Sequence, residues 1–318
     1  MKLKTNIAVL LLGILFVIIL MPTLEFAFSS PLPASSFQSK VSMINKIPFQ
    51  KVTVGDINIA YKQLGKSNAK PIILITGLGA TMDTWSPLLL EQLISSNYSI
   101  TIFDNRGTGN TTAGTKQFSI SQFAKDTAGL LDALRIFKAD VLGWSLGSYI
   151  AQELTLTNPD KVKNLILYAS GCGGKSAIST SPKIIQVVTN TSMSYKQRIE
   201  KNIPFLFPAK WFKAHPDYLN YLPFPKESVS VQAIQQQLEA VANWTGSCNT
   251  ISNITQPTLV IVGTDDAPLK DALILARKIP GSWVVQIRDA GHGLMYQYPS
   301  EFNRAIITFL EDNHEYKK

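Results

Sequence analysis

Residues 143–147 read Gly-Trp-Ser-Leu-Gly and lie between a short predicted strand at 139–142 and a predicted helix over 147–158. Between a buried strand and a helix, a Gly-x-Ser-x-Gly string indicates a tight, strained turn that lifts the serine above the edge of a sheet. Glycines are needed on either side of the serine, because side chains at those positions would clash. Ser145 is therefore a candidate nucleophile, and the turn aims the backbone amide of Leu146 at the same space.

A serine hydroxyl needs a base before it can act as a nucleophile at neutral pH. The chain has three histidines, and His292 is the candidate base because it lies between two glycines just after a predicted strand at 283–288. The flanking glycines predict a mobile or positive-φ backbone from which the imidazole reaches inward. By contrast, His215 lies in an aromatic, proline-rich stretch and His314 lies in a charged tail.

The base must in turn be oriented by a carboxylate. An apolar, β-branched run at 258–262 is typical of a buried parallel strand, and Asp265 and Asp266 follow it. Acidic residues after such a strand lie at the ligand-binding edge of an open α/β sheet. Two adjacent aspartates cannot both point into the site, so we predict Asp266 as the catalytic acid and Asp265 as a turn or helix-capping residue.

A glycine-rich turn with the sequence Thr-Gly-Leu-Gly follows another predicted buried strand, at 71–75. Such a turn leaves backbone N–H groups free to face a developing negative charge. The amides of Leu78 and Leu146 are the predicted donors of an oxyanion hole. Chemistry of this kind needs no metal and no organic cofactor, and neither is predicted.

Strands and helices alternate along the rest of the sequence. Eight strands are predicted, and the alternation indicates an α/β fold with a mostly parallel eight-stranded sheet covered by helices on both faces. The first two strands, at 50–54 and 57–63, are predicted to form an antiparallel edge.

The predicted core has two parts, 49–174 and 251–318, separated by a partly helical insertion at 175–250. We expect this insertion to form a cap or lid over the sheet edge. Its many aromatic residues predict a pocket for a small-molecule substrate with an apolar acyl or ring group. Packing of the cap against the core is the alternative role for most of these aromatic side chains.

Taken as a set, these motifs resemble the α/β-hydrolase superfamily over about residues 50–313. The chain order Ser145, Asp266, His292 is the order that this family uses for its catalytic triad. A serine at the nucleophile position distinguishes the chain from haloalkane dehalogenases and epoxide hydrolases, which carry an aspartate there. The resemblance therefore implies a serine nucleophile on an α/β-hydrolase sheet with a helical cap.

Two further positions bear on the resemblance. Residues 104–109 match the family's Asp-x-Arg-Gly-x-Gly turn, where the resemblance implies that Asp104 and Arg106 hold the loop beside the site. Thr76 stands where many members carry a histidine. Backbone donors survive that change, so it does not argue against catalysis.

Within the superfamily, the chain is most similar to capped esterases, lactonases, haloperoxidase-like enzymes, proline iminopeptidases and C–C bond hydrolases. The first expectation is cleavage of a carboxylic ester or lactone through an acyl-enzyme. An aminopeptidase of the proline iminopeptidase type, a C–C bond hydrolase and a cofactor-free haloperoxidase stay open. The aminopeptidase would need an anionic site for the substrate amine, which the cap acids Glu200, Asp217, Glu227 and Glu239 could supply. A non-catalytic ligand-binding protein is the alternative of another class.

The N-terminal segment has the features of an export signal. Two lysines precede an apolar run at 7–21, which would span about 22 Å as a helix against the about 30 Å core of a bilayer. A signal peptide or short uncleaved anchor is predicted over 1–29, followed by a linker over 30–48. The catalytic domain would then lie outside the cytoplasm, secreted or anchored, with membrane contact through residues 7–28 if they are retained.

Charge and cysteine content narrow the remaining possibilities. The net charge is +8, but the basic residues are scattered and form no stripe with interleaved aromatics, so no nucleic-acid partner is predicted. Cys172 and Cys248 are the two cysteines. Outside the cell they could form one disulfide at the base of the cap, and two free thiols are the alternative.

Overall fold

The computed structural model describes residues 33–174 and 181–315 of the 318-residue chain. The predicted signal peptide or anchor over 1–29 lies outside these residues. In the two described ranges, no helix is both long enough and apolar enough to cross a membrane. The same ranges contain eight strands: β1 (Gln50–Val54), β2 (Ile57–Leu64), β3 (Lys70–Ile75), β4 (Tyr98–Phe103), β5 (Ala139–Trp144), β6 (Val162–Tyr168), β7 (Thr258–Gly263) and β8 (Trp283–Ile287).

Helices connect most of these strands. The described residues contain eleven α-helices: α1 (Ala34–Lys46), α2 (Pro87–Ser95), α3 (Ile120–Ala133), α4 (Leu146–Thr157), α5 (Pro182–Val188), α6 (Tyr195–Asn202), α7 (Ala209–Ala214), α8 (Val231–Ala242), α9 (Leu269–Lys278), α10 (Leu294–Gln297) and α11 (Pro299–Glu315). Helices α5 to α8 lie between β6 and β7 and form the insertion.

The strands form one sheet in the order β1-β2-β4-β3-β5-β6-β7-β8. Strand β2 pairs antiparallel with both β1 and β4, and all pairings from β4 to β8 are parallel. The predicted antiparallel edge and mostly parallel eight-stranded sheet are therefore confirmed. Because parallel strands end at the same edge, the loops after β5, β7 and β8 are brought to one side of the sheet.

Side chains alternate between the two faces of each central strand, and each face is buried by helices. In β3, Ile73 and Ile75 belong to the apolar cluster on one face, where α3, α4 and α9 pack. Ile72 and Leu74 belong to the cluster on the other face, where α2 and α11 pack. This burial on both faces explains why the strands are continuous apolar runs rather than alternating ones.

The linker predicted over 30–48 is wrong for Ala34–Lys46, which forms helix α1. Phe37 and Val41 are four residues apart, lie on one face of that helix, and are buried. Phe37 also contacts Tyr221 of the insertion, with 6.2 Å between ring centroids. Because this stretch is rich in serine, its composition did not indicate a helix with an apolar face. Phe37 and Val41 nevertheless pack the helix against the domain.

The turn after β4 is held by buried charges. The Arg106 guanidinium is bonded to Asp56 and to Asp126 at N···O distances of 2.7–3.0 Å. Asp104 accepts hydrogen bonds from the amides of Met82 and Asn110, at 2.8 and 2.9 Å. Burial raises the pKa of Asp104 to about 6, although these two bonds act in the opposite direction. Both residues thus tie loops together beside the sheet edge.

A disulfide joins Cys172 and Cys248, whose Cα atoms are 5.0 Å apart. Cys172 lies four residues after β6, and Cys248 lies ten residues before β7. The bridge therefore closes the base of the insertion. A backbone hydrogen bond of 2.7 Å from Ser247 to the Cys172 carbonyl lies beside it.

Replacing both cysteines, Cys172→Ala with Cys248→Ala, should lower the free energy of unfolding by about 2–4 kcal/mol. The reason is that the bridge spans a sequence separation of 76 residues and restricts the unfolded chain. Denaturant unfolding of the variant and of oxidised wild type measures the difference. Reduced wild-type protein is the control and should match the variant. Equal stability of all three samples would contradict the prediction.

Candidate active site

Ser145 lies in the tight turn between β5 and α4, with a φ of 54° and a ψ of −114°. A positive φ is strained for a serine and costs about 1–3 kcal/mol. The flanking glycines make the turn possible: a Cβ on Gly143 would lie 2.3 Å from the Gly147 carbonyl oxygen, and a Cβ on Gly147 would lie 2.0 Å from that of Ile75. The backbone N–H of Ser145 donates to the carbonyl of Tyr168 at 2.9 Å.

His292 lies in the loop after β8, and Asp266 lies in the loop after β7. The imidazole Nδ1 is 2.9 Å from one carboxylate oxygen of Asp266 and 3.2 Å from the other. The Asp266 side chain is 2% exposed and that of His292 is 24% exposed, so the base is open to a ligand while the acid is not. Asp265 is exposed, and its backbone amide donates to the Ala290 carbonyl. Asp266 is therefore the aspartate whose side chain contacts His292.

Two opposed effects act on the His292 imidazole. Burial alone would lower its pKa, because the charged form loses hydration. The charge of Asp266 and the hydrogen bond to it act in the other direction, and together they raise the pKa of His292 above its ordinary value. The carboxylate thus favours the imidazolium, the form that a general base reaches after taking a proton.

Tyr168, at the end of β6, connects the serine turn to the histidine loop. Its backbone carbonyl accepts from the Ser145 amide, and its hydroxyl donates to the His292 carbonyl at 2.6 Å. The hydroxyl also accepts from the Met295 amide at 3.3 Å. Trp144 stacks on the Tyr168 ring, with 5.9 Å between centroids. No motif marks Tyr168 in the sequence, and its only signal is its place at the end of the strand beside the serine turn.

Asp266 and His292 are in contact, and Ser145 lies at the same sheet edge. In the described part of the chain, the Ser145 hydroxyl has no hydrogen-bond partner. The His292 ring lies 6.1 Å from the ring of the adjacent Trp144, measured between centroids. Hydrogen bonds between a catalytic serine and histidine are often long without substrate and shorten when one binds.

The predicted oxyanion donors are also near the serine. A Cβ built on Gly77 would lie 3.4 Å from the Cβ of Ser145, so the turn after β3 contacts the nucleophile. Neither the Leu78 amide nor the Leu146 amide donates a hydrogen bond to any described residue. The Thr76 hydroxyl accepts from the Asn105 side chain at 3.2 Å and thereby anchors the turn.

The glycines beside His292 do not have the positive φ that the sequence suggested. Positive φ in this loop belongs to Asp289, at 56°. Gly291 and Gly293 instead allow close contact with the insertion: a Cβ on either would lie 2.6–2.7 Å from atoms of Leu206 or Phe207. The Gly293 amide donates to the Leu206 carbonyl at 2.8 Å, so the insertion is bonded to the histidine loop.

Within the described part of the chain, no group of three or more His, Cys, Asp or Glu side chains is arranged to hold a metal ion. A surface groove of about 650 Å³ lies where the N-terminal end of α3 meets the C-terminal ends of α4 and α8. Its lining includes none of Ser145, Asp266 and His292. The candidate site is thus a cluster of side chains at the sheet edge, separate from this groove.

Comparisons with known proteins agree with the fold. A family model described as alpha/beta hydrolase fold matches residues 70–211. A Mycobacterium tuberculosis protein that carries the name non-heme bromoperoxidase BpoC is 29% identical over 262 residues, covering 80% of this chain and 98% of the relative. A poly(3-hydroxyalkanoate) depolymerase of Ectopseudomonas oleovorans is 25% identical over 253 residues, covering 79% of this chain and 88% of the relative.

Solved structures show the same similarity. An alpha/beta hydrolase fold protein from Chitinophaga pinensis has a TM-score of 0.72 at 28% identity, covering 83% of this chain and 98% of that one. A thermophilic esterase from Thermogutta terrifontis has a TM-score of 0.71 at 25% identity, covering 84% and 99%. The chain therefore has the α/β-hydrolase fold, and the proteins similar to it include hydrolases.

Titration of His292 should give a pKa above the ordinary value of about 6.5 in the wild type and a lower pKa in Asp266→Asn, where burial acts unopposed. Since the folded pKa exceeds the unfolded one, this ionisation contributes stability that is complete below about pH 6.5 and is lost as the pH rises through the folded value. NMR of the imidazole protons measures the shift. An unchanged His292 pKa in the variant would refute the assigned cause.

Proposed function

We propose that the protein is a serine hydrolase that cleaves a carboxylic ester or lactone with Ser145, His292 and Asp266. The hydrogen bond between His292 and the buried Asp266 carboxylate is the observation that carries the proposal. A histidine without a catalytic role needs no buried carboxylate bonded to Nδ1. A general base needs one, because the carboxylate orients the imidazole and stabilises its charged form. The strained backbone of Ser145 at the same sheet edge supports the nucleophile role.

The proposed mechanism has two steps with the same proton carrier. The Ser145 hydroxyl oxygen attacks the carbonyl carbon while His292 takes the hydroxyl proton, and the Leu78 and Leu146 amides bond the resulting oxyanion. The tetrahedral intermediate then expels the alkoxide, which receives the proton from His292, and an acyl-enzyme remains. Water attacks the acyl carbon by the same route and releases the acid. Asp266 holds the imidazole in the required tautomer throughout.

Some of the similar proteins support an ester or lactone bond, while others carry the names carbamate hydrolase and non-heme bromoperoxidase. The relatives and structures include an esterase, a depolymerase of poly(3-hydroxyalkanoate) and, at fold level, an enol-lactonase. The cap acids give an aminopeptidase less support. Asp217 and Glu239 are exposed, Glu200 pairs with Lys196 at 3.7 Å, and Glu227 is half-buried. These positions do not favour a buried anionic site for a substrate amine.

The cap also bears on the substrate. Ile203, Phe207 and Leu222 form its apolar centre, and Phe207 stacks on Trp211 with 4.6 Å between ring centroids. Many of the cap aromatics thus pack against one another. The contact of Leu206 and Phe207 with the glycines beside His292 brings apolar cap surface next to the base. We propose a small substrate with an apolar acyl or ring group on that ground.

A fluorophosphonate probe should label the wild-type protein at Ser145, and Ser145→Ala should abolish both labelling and turnover, the latter by about 10⁴-fold or more. The probe reacts only with an activated serine, so labelling reports the nucleophile without knowledge of the substrate. Intact-protein mass spectrometry measures the adduct. Ser192→Ala is the control, because Ser192 is exposed, and this variant should be labelled like the wild type. Ser148→Ala is unsuitable as a control, because the Ser148 hydroxyl bonds to the serine turn.

The same preparations should be assayed on acyl esters of increasing chain length, lactones and aminoacyl amides. Turnover of esters or lactones, absent in Ser145→Ala, is the expected result. Turnover of aminoacyl amides alone would replace the esterase assignment with an aminopeptidase. An unlabelled wild type with no turnover on any of these substrates would leave a ligand-binding protein of the same fold.

We also propose that residues 1–29 export the protein and that it acts outside the cytoplasm. The Cys172–Cys248 disulfide supports this, because structural disulfides persist in oxidising compartments. Expression of the full chain should place the catalytic domain beyond the membrane with the cysteines oxidised. A chain lacking residues 2–29 is the control and should stay in the cytoplasm with free thiols. Equal distribution of both proteins would refute the export proposal.

A further inference from the structure

Two cap side chains hold one residue of the turn after β3, residues 76–80, here named the oxyanion turn. Gln237 of α8 accepts a hydrogen bond from the Gly79 amide through Oε1 at 2.8 Å. Tyr195 of α6 donates its hydroxyl proton to the Gly79 carbonyl at 3.2 Å. Because an amide and a carbonyl of the same residue belong to consecutive peptide units, the two bonds restrict rotation on both sides of Gly79.

Leu78 lies between this cap contact and the nucleophile. On one side, Gly77 lies against Ser145: a Cβ built on Gly77 would be 3.4 Å from the Cβ of the serine. On the other side, the Leu78 side chain packs against the cap cluster of Val229, Ala233 and Ile234. The Gly79 amide is occupied by Gln237, whereas the Leu78 amide has no partner among the described residues. The cap therefore determines which amide of the turn stays available.

We infer that Gln237 and Tyr195 are positioning residues that orient the Leu78 amide toward the oxyanion. The Leu78 and Leu146 amides therefore act together as donors only while these two cap residues stay bonded to Gly79. This inference rests on the proposed hydrolase function. Neither side chain is assigned contact with the reacting atoms. Donors of this kind stabilise a transition state only when they are oriented in advance, so a loosened turn would slow the chemical step.

The environment of Gln237 argues against a role in packing alone. The side chain is fully buried, and its Nε2 group has no hydrogen-bond partner in the part of the chain that the structure describes. A buried amide donor without a partner destabilises a fold, so an apolar side chain of similar length would serve packing better. The acceptor end, which is bonded to Gly79, is the part of Gln237 that the structure uses.

The test compares Gln237→Met with Gln235→Met, the same change at an exposed position of the same helix. For Gln237→Met we expect a fall in kcat of about 10- to 100-fold with KM within about twofold, and binding of a trifluoromethyl ketone inhibitor weakened in parallel. Tyr195→Phe should give a smaller fall in kcat, because one neutral bond is lost while the ring remains. Gln235→Met should behave as wild type.

Amide hydrogen exchange gives a readout that does not depend on turnover. Exchange in peptides covering residues 76–80 should accelerate in Gln237→Met and stay unchanged in Gln235→Met. Unchanged exchange in Gln237→Met overturns the inference, and so does faster exchange with an unchanged kcat or with a rise in KM alone. If the wild type neither reacts with the fluorophosphonate probe nor turns over any substrate, the proposed function fails, while the exchange comparison still decides whether Gln237 holds the turn.

Discussion

The strained backbone of Ser145 is the constraint on which the candidate site depends. A serine at positive φ is stable only where its neighbours prevent relaxation. Gly143 and Gly147 allow the close approach of backbone to backbone, and the Ser148 hydroxyl fixes the turn from a position within hydrogen-bond distance of carbonyls of β5 and β6. The Ser145 amide in turn bonds to Tyr168. The turn is thus held by the central parallel strands, the most deeply buried part of the sheet.

Charge is distributed around this turn in two separate groups. One group consists of the buried Arg106 and Asp126 with the partly exposed Asp56; it joins loops and contains none of the candidate catalytic residues. Removing Arg106 would leave the buried Asp126 carboxylate without its countercharge, at a cost of about 3–5 kcal/mol. The second group, Asp266 with His292, has one buried and one partly exposed member. That asymmetry leaves the imidazole accessible while the carboxylate stays fixed behind it.

The sheet and most of its helices could be predicted from the sequence alone. The central strands are buried on both faces, so each appears in the sequence as a continuous apolar run. The predicted helix over 147–158 differs from α4 (Leu146–Thr157) by one residue at each end, and both ends of β1 agree with the prediction. Helix α1 was missed because its apolar face consists of only two buried side chains within a serine-rich stretch. The contacts of Tyr168, Gln237 and Gly291 could not be predicted, since they depend on strand register and on where the cap lies.

The bridge between Cys172 and Cys248 has a consequence for how the protein would respond to proteases. Nearly the whole insertion, helices α5 to α8, lies between the two sulfur atoms along the chain. A single cut anywhere in this stretch would leave two fragments that remain covalently joined. The nicked molecule would keep both parts of its sheet and would migrate as two pieces only after reduction. A break in the insertion therefore releases no fragment while the bridge between Cys172 and Cys248 is intact.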